Sequence, residues 1–461
     1  MKYNFIGNKN RIRALALILA MMICFAGCGK GKSGKKEDDT TNTGNNITLR
    51  YEDNGDTLSA NQGMSVKMGT DLEKKEIPAS TEAEEEAFKK ATANLAFKLM
   101  KALSAKEGGK NVMISPDSII TALAMTMNGA KGATLEEMLG LMGAGLTLEE
   151  YNKALSGYNN MLTSLTGVKL AVANSIWIRN MPALQIYKDF IQTNIDYYDA
   201  SIFVADFDQK TVDDINGWVN DNTQGMIDKL LDEITEDKMM YLINALSFEA
   251  QWAEQYEGNQ IVEDCTFTNS DGKEEKCVML HDTMKGLIRL NGGLGFSKSY
   301  EGGQYSFVAL LPGEGVSVDE YLNGITGEDF LKAWNDKDYD PDLITQLPEF
   351  KYDYETSLKE VLQELGMAGA FEESADFSGM CNPDEMNLWI GDVIHKTHIE
   401  LDRNGTKAAA VTSVVMCGEA MAIEEPERIY ITLDRPFVYA IVDNSTGLPV
   451  FLGTVNSVEA Q

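Results

Sequence analysis

The sequence predicts one large α+β domain that begins near residue 81 and continues to residue 461. Apolar residues at helical spacing after an acidic first turn indicate a helix in Thr81–Leu103. Alternating and β-branched runs bounded by turn residues indicate strands in Lys169–Ile178, Phe307–Gly313 and Arg428–Val455. No internal repeat is visible, and 44% of the 461 residues are hydrophobic, so a single mixed domain over 81–461 is the economical interpretation.

The first 27 residues have the composition of a targeting segment. "MKYNFIGNKNRIR" is cationic, and "ALALILAMMICFAG" is an apolar run that is shorter than a typical transmembrane helix. The run ends at "FAGC", which resembles a bacterial lipobox, so we expect Cys28 to be lipidated and to become the mature N-terminus. Phe25 stands where Leu, Val or Ile is usual, and the alternative is an ordinary signal peptide in which Cys28 is incidental.

Residues 28–80 are predicted to form a flexible polar tether. "GKGKSGKKEDDTTNTGNN" contains almost no apolar side chain that a core could bury. A lipid on Cys28 would anchor the following domain outside the cytoplasmic membrane. We therefore expect an extracytoplasmic lipoprotein at the cell surface that contacts the membrane only through this lipid.

The formal net charge of −31 limits the partners that the chain can bind. Such an acidic chain repels nucleic acid and anionic membrane surfaces, and it has no basic helix that would bind a heparin-type cofactor. We therefore expect neither nucleic acid nor heparin-like polyanions as partners, and we expect a monomer.

The sequence lacks the motifs of ordinary enzyme chemistry. Of its three histidines, His395 and His398 are three residues apart, which on a strand places them on opposite faces and argues against a shared metal. No GxSxG, HExxH, CxxC or complete glycine-rich phosphate motif occurs. We therefore expect no enzyme activity, no metal and no cofactor.

Cys265 and Cys277 lie symmetrically about Asp271 in "CTFTNSDGKEEKC", which has two short alternating runs around an Asp-Gly turn. Directly opposed cysteines of a hairpin can form a disulfide in an oxidising compartment. A disulfide and two free thiols both remain open at this point. Cys381 and Cys417 have no obvious partners.

The segment Gly405–Arg428 has small, β-branched and Met side chains and no proline before Pro426. Its β-branched residues disfavour a helix, Gly418 interrupts it, and a period-two pattern favours a strand. No nearby segment looks like a hairpin partner. Because unstructured loops longer than about 12–15 residues are usually functional, we interpret this segment as a strand that lies outside its sheet.

Eight separated segments, in a fixed order, resemble the serpins, the serine protease inhibitor family. They are Asn111–Thr134 with its "SPDSI" block, Ala173–Ile178, Ile215–Ile227, Asn244–Trp252, Leu347–Met367, Ala375–Met380, Val393–Ser413 and Asp434–Val455. The resemblance covers roughly residues 83–457. It implies an α+β serpin fold with three β-sheets, eight or nine helices and an exposed reactive-centre loop.

The resemblance also implies a mechanism. In this family a target protease cleaves the loop and forms an acyl-enzyme, and the loop then inserts as a new central strand and carries the protease to the far pole. The hinge of the loop corresponds to Gly405, Thr406, Lys407, Ala408, Ala409, Ala410, Val411 and Thr412. Thr406, Ala408, Ala410, Thr412 and Val414 would face inward. Lys407 and Arg403 stand where Glu is usual in the family. Lys407 would face solvent, where its charge can stay hydrated. Arg403 puts in doubt the ion pair that this Glu usually forms at the base of the hinge.

The positions that control opening of the sheet also have counterparts here. Ser115, Ser118, Asn244 and His395 match the shutter region of the family, where the sheet parts, and Trp252 matches the tryptophan at the top of the opening. Without the resemblance, His395 would be interpreted as a hydrogen-bonded core histidine. The two interpretations are compatible, because a hydrogen-bonded shutter resists premature opening.

Family spacing from Gly405 places the scissile bond at Glu419–Ala420. Because the loop is several residues longer than usual, the window extends from Met416 to Met421 and includes Cys417 and Gly418. No Lys or Arg occurs between Thr412 and Ala422, so trypsin-like targets are disfavoured. Elastase-like, subtilisin-like and glutamate-preferring proteases remain open as targets.

These features predict a surface-anchored suicide inhibitor of endopeptidases, serine proteases in particular, rather than an enzyme. The alternative is a non-inhibitory serpin that serves as a binding or scaffold lipoprotein. Non-inhibitory relatives tend to carry bulky, charged or proline residues at inward hinge positions. This hinge has none, which favours the inhibitor.

Overall fold

The computed structural model describes residues 47–50, 57–60, 65–163, 169–182, 184–235, 237–406 and 426–459. All of them belong to one compact unit that begins at Asn45. Within these ranges, no helix is long and apolar enough to cross a bilayer. The described residues form nine α-helices and nineteen strands, so the predicted α+β class is confirmed.

Six of the nine described helices lie before residue 223, and the other three lie between residues 318 and 364. In chain order, the nine helices are α1 Glu82–Glu107, α2 Pro116–Met127, α3 Gly132–Met142, α4 Leu148–Thr163, α5 Lys188–Tyr198, α6 Gln209–Asn222, α7 Val318–Asn323, α8 Gly327–Asn335 and α9 Lys359–Glu364. Local sequence signals fix several of their ends. A capping box of Thr81 and Glu84 begins α1, and Gly108 ends it in the left-handed conformation at φ +59°. Pro116 stands at the first position of α2.

The strands occur along the whole unit. They are β1 Ile47–Arg50, β2 Thr57–Ala60, β3 Val66–Lys67, β4 Val112–Ile114, β5 Lys169–Arg179, β6 Ser201–Ala205, β7 Met240–Gln251, β8 Ile261–Thr268, β9 Glu274–Met284, β10 Ile288–Leu290, β11 Gly293–Ser299, β12 Tyr305–Leu311, β13 Asp342–Pro348, β14 Phe350–Ser357, β15 Asp392–Leu401, β16 Gly405–Thr406, β17 Arg428–Thr432, β18 Phe437–Asp443 and β19 Pro449–Val455.

Three large sheets contain most of these strands, as predicted. The seven-stranded sheet has the order β14-β15-β16-β7-β5-β6-β3, the six-stranded sheet β10-β11-β12-β18-β19-β4, and the four-stranded sheet β17-β13-β9-β8. Strands β1 and β2 form a separate hairpin.

The hydrophobic core lies between the seven-stranded and six-stranded sheets and the helices that cover them. Strands β18 and β19 are buried along their whole length, and so is α2, which packs against β5 and β7 of one sheet and β19 of the other. A second cluster, which includes Trp177, Val219 and Tyr241, packs α6 onto the other face of the seven-stranded sheet. The largest sheet is therefore covered on both faces in the region of β5 and β7.

The domain begins earlier in the chain than the sequence predicted. Val66 and Lys67 pair with β6 as an additional edge strand, and Met68 is buried and donates its backbone N–H to the Ile202 carbonyl over 2.7 Å. Lys74 forms an ion pair with Asp199 near the end of α5. The prediction of a tether through residue 80 is therefore wrong for residues 65–80, because a two-residue strand is too short to give a visible sequence pattern.

The hairpin of β8 and β9 has the predicted turn and register. Gly272 adopts φ +77°, and Cys265 lies directly opposite Cys277. Both thiols are free, and the Cys265 sulfur lies 3.5 Å from the carbonyl oxygen of Val262, next to a local register shift. The disulfide that the symmetry allowed is therefore not formed in this structure.

Candidate functional site

The seven-stranded sheet is parted at one end between β7 and β15. These two strands are parallel and pair directly from Asp392 opposite Tyr241 to Thr397 opposite Leu246. Beyond that point they separate, and β16 lies between them, with Thr406 opposite both Leu401 and Ala250. The sheet therefore already holds the first two residues of an additional antiparallel strand.

Gly405 and Thr406 are both adapted to this position. Gly405 has φ +155°, and a Cβ atom there would lie 2.2 Å from the Ala250 carbonyl oxygen, so only glycine fits. Thr406 is 2% exposed, on the buried face to which the sequence analysis assigned it. Its Oγ1 lies 2.7 Å from the Tyr300 hydroxyl, and the Tyr300 ring stacks on Trp252 at a centroid distance of 4.6 Å.

A tight turn joins β15 to β16. Asp402 Oδ1 accepts hydrogen bonds from the backbone N–H groups of Asn404, at 2.7 Å, and Gly405, at 3.1 Å. Trp252 binds the same turn twice, because its backbone N–H donates to the Asn404 carbonyl and its indole N–H donates to the Asp402 carbonyl, both over 2.9 Å. The predicted tryptophan of the opening thus contacts the base of the loop directly.

Arg403, which stands where the family usually has Glu, forms an ion pair with a residue that the sequence analysis did not identify. The Arg403 guanidinium forms a fork with Glu349, with Nε 2.9 Å from Oε1 and Nη2 3.2 Å from Oε2. The backbone N–H of Arg403 donates to the same carboxylate over 3.0 Å. The turn between β15 and β16 therefore has an ion pair in which Arg403 supplies the positive charge.

We expect Arg403→Glu to lower the free energy of unfolding by about 1 kcal/mol, because two carboxylates would then face each other at a partly exposed site. The double variant Arg403→Glu/Glu349→Arg should recover most of the loss. Urea unfolding of the parent, both single variants and the double variant measures the coupling. Strictly additive effects of the two substitutions would show that the fork contributes nothing.

The predicted shutter residues lie at the directly paired part of β7 and β15, next to the opening. His395 is fully buried, and its Nε2 accepts a hydrogen bond from the backbone N–H of Ser115 over 3.2 Å. Burial lowers the pKa of His395 to about 3, so the ring is neutral at pH 7. Ser118 follows in the first turn of α2, and Asn244 pairs with His395 through the backbone. The structure thus joins α2 to the directly paired part of β7 and β15.

Asp117, which the sequence analysis did not single out, is buried in the first turn of α2. The Asn159 amide lies 2.8 and 3.3 Å from the two carboxyl oxygens of Asp117, and the amide oxygen can accept a hydrogen bond from this acid when it is protonated. Burial raises the pKa of Asp117 to about 7. The helix beside the shutter therefore contains an acid that costs stability when it ionises.

The raised pKa of Asp117 makes the free energy of unfolding depend on pH. In the unfolded chain Asp117 ionises near its ordinary pKa of 3.8, whereas the folded state keeps the proton up to about pH 7. Its contribution to stability therefore falls as pH rises from about 4 to 7 and then levels off. We expect Asp117→Asn to be more stable than the parent by about 4 kcal/mol at pH 8 and to show little difference near pH 4.

Urea unfolding of both proteins between pH 4 and 8 measures this difference. His395 has the opposite dependence, because its depressed pKa lowers stability as pH falls below 6.5, but it is common to both proteins and cancels. Parallel stability curves for parent and variant across this range would contradict the assignment.

Several predicted site residues lie outside the described residues. They are Cys28, the hinge from Lys407 to Thr412, the bond Glu419–Ala420 with its window Met416–Met421, and the side chain of Asn244. The sequence analysis in turn missed Tyr300 and Glu349. The "LPEF" block that contains Glu349 was recognised, but nothing in it indicated contact with a residue 54 positions away.

The fold and the opening define a class of protein. The structure is a three-sheet α+β domain whose largest sheet is parted at one end between two parallel strands, with β16 between them. Residues 90–458 match the family model described as "Serpin (serine protease inhibitor)". The chain belongs to the serpin family.

Relatives and solved structures agree with this assignment. Iripin-1 of Ixodes ricinus is 31% identical over 367 residues, which are 76% of this chain and 89% of that protein. Intracellular coagulation inhibitor 2 of Tachypleus tridentatus is 28% identical over 366 residues, 76% of this chain and 86% of that protein. The native-state structure of the thermophilic serpin tengpin is 39% identical, covers 85% of this chain and 99% of its own, and has a TM-score of 0.79.

Proposed function

We propose that this protein inhibits serine-type endopeptidases by conformational trapping, in which the cleaved loop inserts as a strand between β7 and β15. The observation that carries the proposal is β16, because Gly405 and Thr406 already pair with β7 and Thr406 also pairs with β15. The family description and the relative named as a coagulation inhibitor support an inhibitory role. The hinge composition supports insertion rather than a passive scaffold.

Continued along the chain, the register of β16 gives the position that each further hinge residue would take in an inserted strand. Thr406 pairs with Leu401 and Ala250, so each further loop residue would pair one position earlier on both neighbours. By this count Ala408 would lie between Ile399 and Phe248, Ala410 between Thr397 and Leu246, and Thr412 between His395 and Asn244. Alternate residues of β15, including His395, Thr397, Ile399 and Leu401, are buried. Their loop partners would therefore face the core, where small side chains are needed.

Insertion would exchange one set of backbone hydrogen bonds for a larger set. From Ala410 onward the loop has to separate the six directly paired positions of β7 and β15. The inserted strand would then form a ladder on both of its sides, and each additional hydrogen bond contributes about 0.5–1.5 kcal/mol. We infer that cleavage releases the loop end and makes this exchange favourable.

The target would be a protease that accepts a small, Met or Glu residue. The proposed bond Glu419–Ala420 and the window Met416–Met421 contain no Lys or Arg, which a trypsin-like specificity pocket requires. Elastase-like, subtilisin-like or glutamate-preferring enzymes fit this window. No cofactor is part of the proposal.

The inhibition test uses a panel of proteases from these three classes and a trypsin-like protease. The purified domain is incubated with each enzyme and run on denaturing gels, and the released C-terminal peptide is weighed by mass spectrometry. We expect a covalent complex with at least one non-trypsin-like member and a cut within Met416–Met421. Cleavage by every sensitive protease without any covalent complex would favour a non-inhibitory serpin.

We also propose that a lipid on Cys28 tethers the domain to the outer face of the cytoplasmic membrane. Replacing Cys28 by Ala should release the protein into the aqueous fraction, because no lipid can then be attached. Cys24→Ala, four residues earlier in the predicted signal segment, is the matched control and should leave membrane retention unchanged. Equal retention of the Cys28→Ala variant in membrane fractions would refute the tether.

A further inference from the structure

A buried lysine lies where the three large sheets meet. Lys298 belongs to β11 of the six-stranded sheet, and its side chain is 7% exposed. Its Nζ donates to Asp282 Oδ2 over 2.8 Å, and Asp282 belongs to β9 of the four-stranded sheet. The ion pair therefore joins two sheets beside the end of β7, which belongs to the third.

The same ammonium group contacts the aromatic residues that follow β7. Lys298 Nζ lies 4.2 Å from the ring centroid of Tyr256 and 5.8 Å from that of Trp252. The two rings are nearly perpendicular, with an interplanar angle of 87°. A desolvated cation is attracted to both ring faces, so Lys298 favours one arrangement of Trp252 and Tyr256.

These two aromatic residues hold the base of the loop. The backbone N–H of Tyr256 donates to the Arg403 carbonyl over 3.0 Å, next to the two hydrogen bonds from Trp252 to the same turn. Trp252 also stacks on Tyr300, whose hydroxyl contacts Thr406. A contiguous set of contacts thus runs from Lys298 to the first inserted residue.

A buried ion pair adds less to the free energy of unfolding than well-packed apolar residues often would. Burying two charges costs free energy that their attraction only partly returns, and apolar residues of similar volume often stabilise as well or better. A cation, in contrast, fixes the orientation of aromatic rings and of a carboxylate at the same time. The arrangement therefore points to a positional role for Lys298.

We propose that Lys298 is a positioning residue that keeps the entrance of the seven-stranded sheet parted, and that it thereby speeds entry of the cleaved loop. The part of this inference that concerns loop entry rests on the proposed inhibitory function. The part that concerns the arrangement of Trp252, Tyr256 and the turn before the loop does not depend on that function.

The test compares three variants with the parent. Lys298→Met/Asp282→Asn removes both charges, so that no buried acid is left unpaired. Lys298→Arg keeps the charge and can still pair with Asp282. Lys285→Met is the matched control, because Lys285 forms an ion pair with Asp342 in the same four-stranded sheet, at 2.9 Å, without contact with Trp252.

The first readout is hydrogen exchange, by mass spectrometry, of peptides that contain Trp252 and Tyr256. We expect the double variant to exchange these amides at least fivefold faster, and the Arg variant and the control to stay within twofold of the parent. Unchanged exchange in the double variant would overturn the proposal, whether or not the protein inhibits any protease.

The second readout is the number of inhibitor molecules consumed per trapped protease. For a protease that the parent traps, this number should rise at least twofold in the double variant and stay unchanged in the control. An unchanged number would limit Lys298 to a structural role and overturn its part in loop entry. If the parent traps no protease at all, the proposed function fails, and hydrogen exchange alone then decides the positioning role.

Discussion

Thr406→Arg is expected to convert the protein from an inhibitor into a substrate. Thr406 is buried between β7 and β15 and contacts the Tyr300 hydroxyl, so an arginine there would place a guanidinium in the core without a partner. The arginine would therefore keep β16 out of the sheet in the intact protein, and insertion after cleavage would have to bury it at a cost of about 3 kcal/mol, which would slow insertion on the order of a hundredfold. The loop beyond it is unchanged, so a protease should still cleave it, and hydrolysis of the acyl-enzyme should then outpace insertion.

The measurement is the stoichiometry of inhibition against one sensitive protease. We expect the variant to be cleaved, to release active protease and to form little covalent complex. Lys407→Gln is the matched control, because the extended register places residue 407 between Glu400 and Glu249 on the other face of the sheet. Efficient trapping by Thr406→Arg would show that the register or the mechanism assigned here is wrong.

Cleavage of the loop is expected to raise the melting temperature by about 10 °C or more, because an inserted strand adds hydrogen bonds on both sides and buries its inward side chains. Thermal unfolding of intact and nicked protein, followed by circular dichroism, measures the shift. The nicked Thr406→Arg variant should gain much less.

The opposite outcome is equally informative. If nicked and intact protein unfold at the same temperature, the loop does not insert after cleavage. The six direct pairs between β7 and β15 would then be a permanent part of the sheet.

The elements with strong local patterns could be predicted from the sequence. The sequence analysis expected His395 and His398 to lie on opposite faces of a strand. In β15, buried and partly buried residues alternate strictly, and the two histidines do lie on opposite faces. The Asp-Gly turn correctly set Cys265 opposite Cys277. The order of eight family segments gave the three-sheet fold, which no single segment could have indicated.

The contacts of the opening could not be predicted, because they join residues that are distant in the chain. Arg403 was recognised as a departure, but its partner Glu349 is 54 residues away, and Tyr300 is 106 residues from Thr406. The sequence also could not show how far the sheet is parted, since that depends on where β15 stops pairing with β7 and starts pairing with β16. The thiol states of Cys265 and Cys277 depend on local geometry at a register shift and were left open for the same reason.

The most direct test of the central claim is a crystal structure of the protein after cleavage of its loop. The account predicts that residues from Lys407 onward form a strand between β7 and β15, with Thr412 beside His395 and the pairs from Asp392–Tyr241 to Thr397–Leu246 separated. A cleaved structure in which those pairs remain and the loop lies outside the sheet would contradict it.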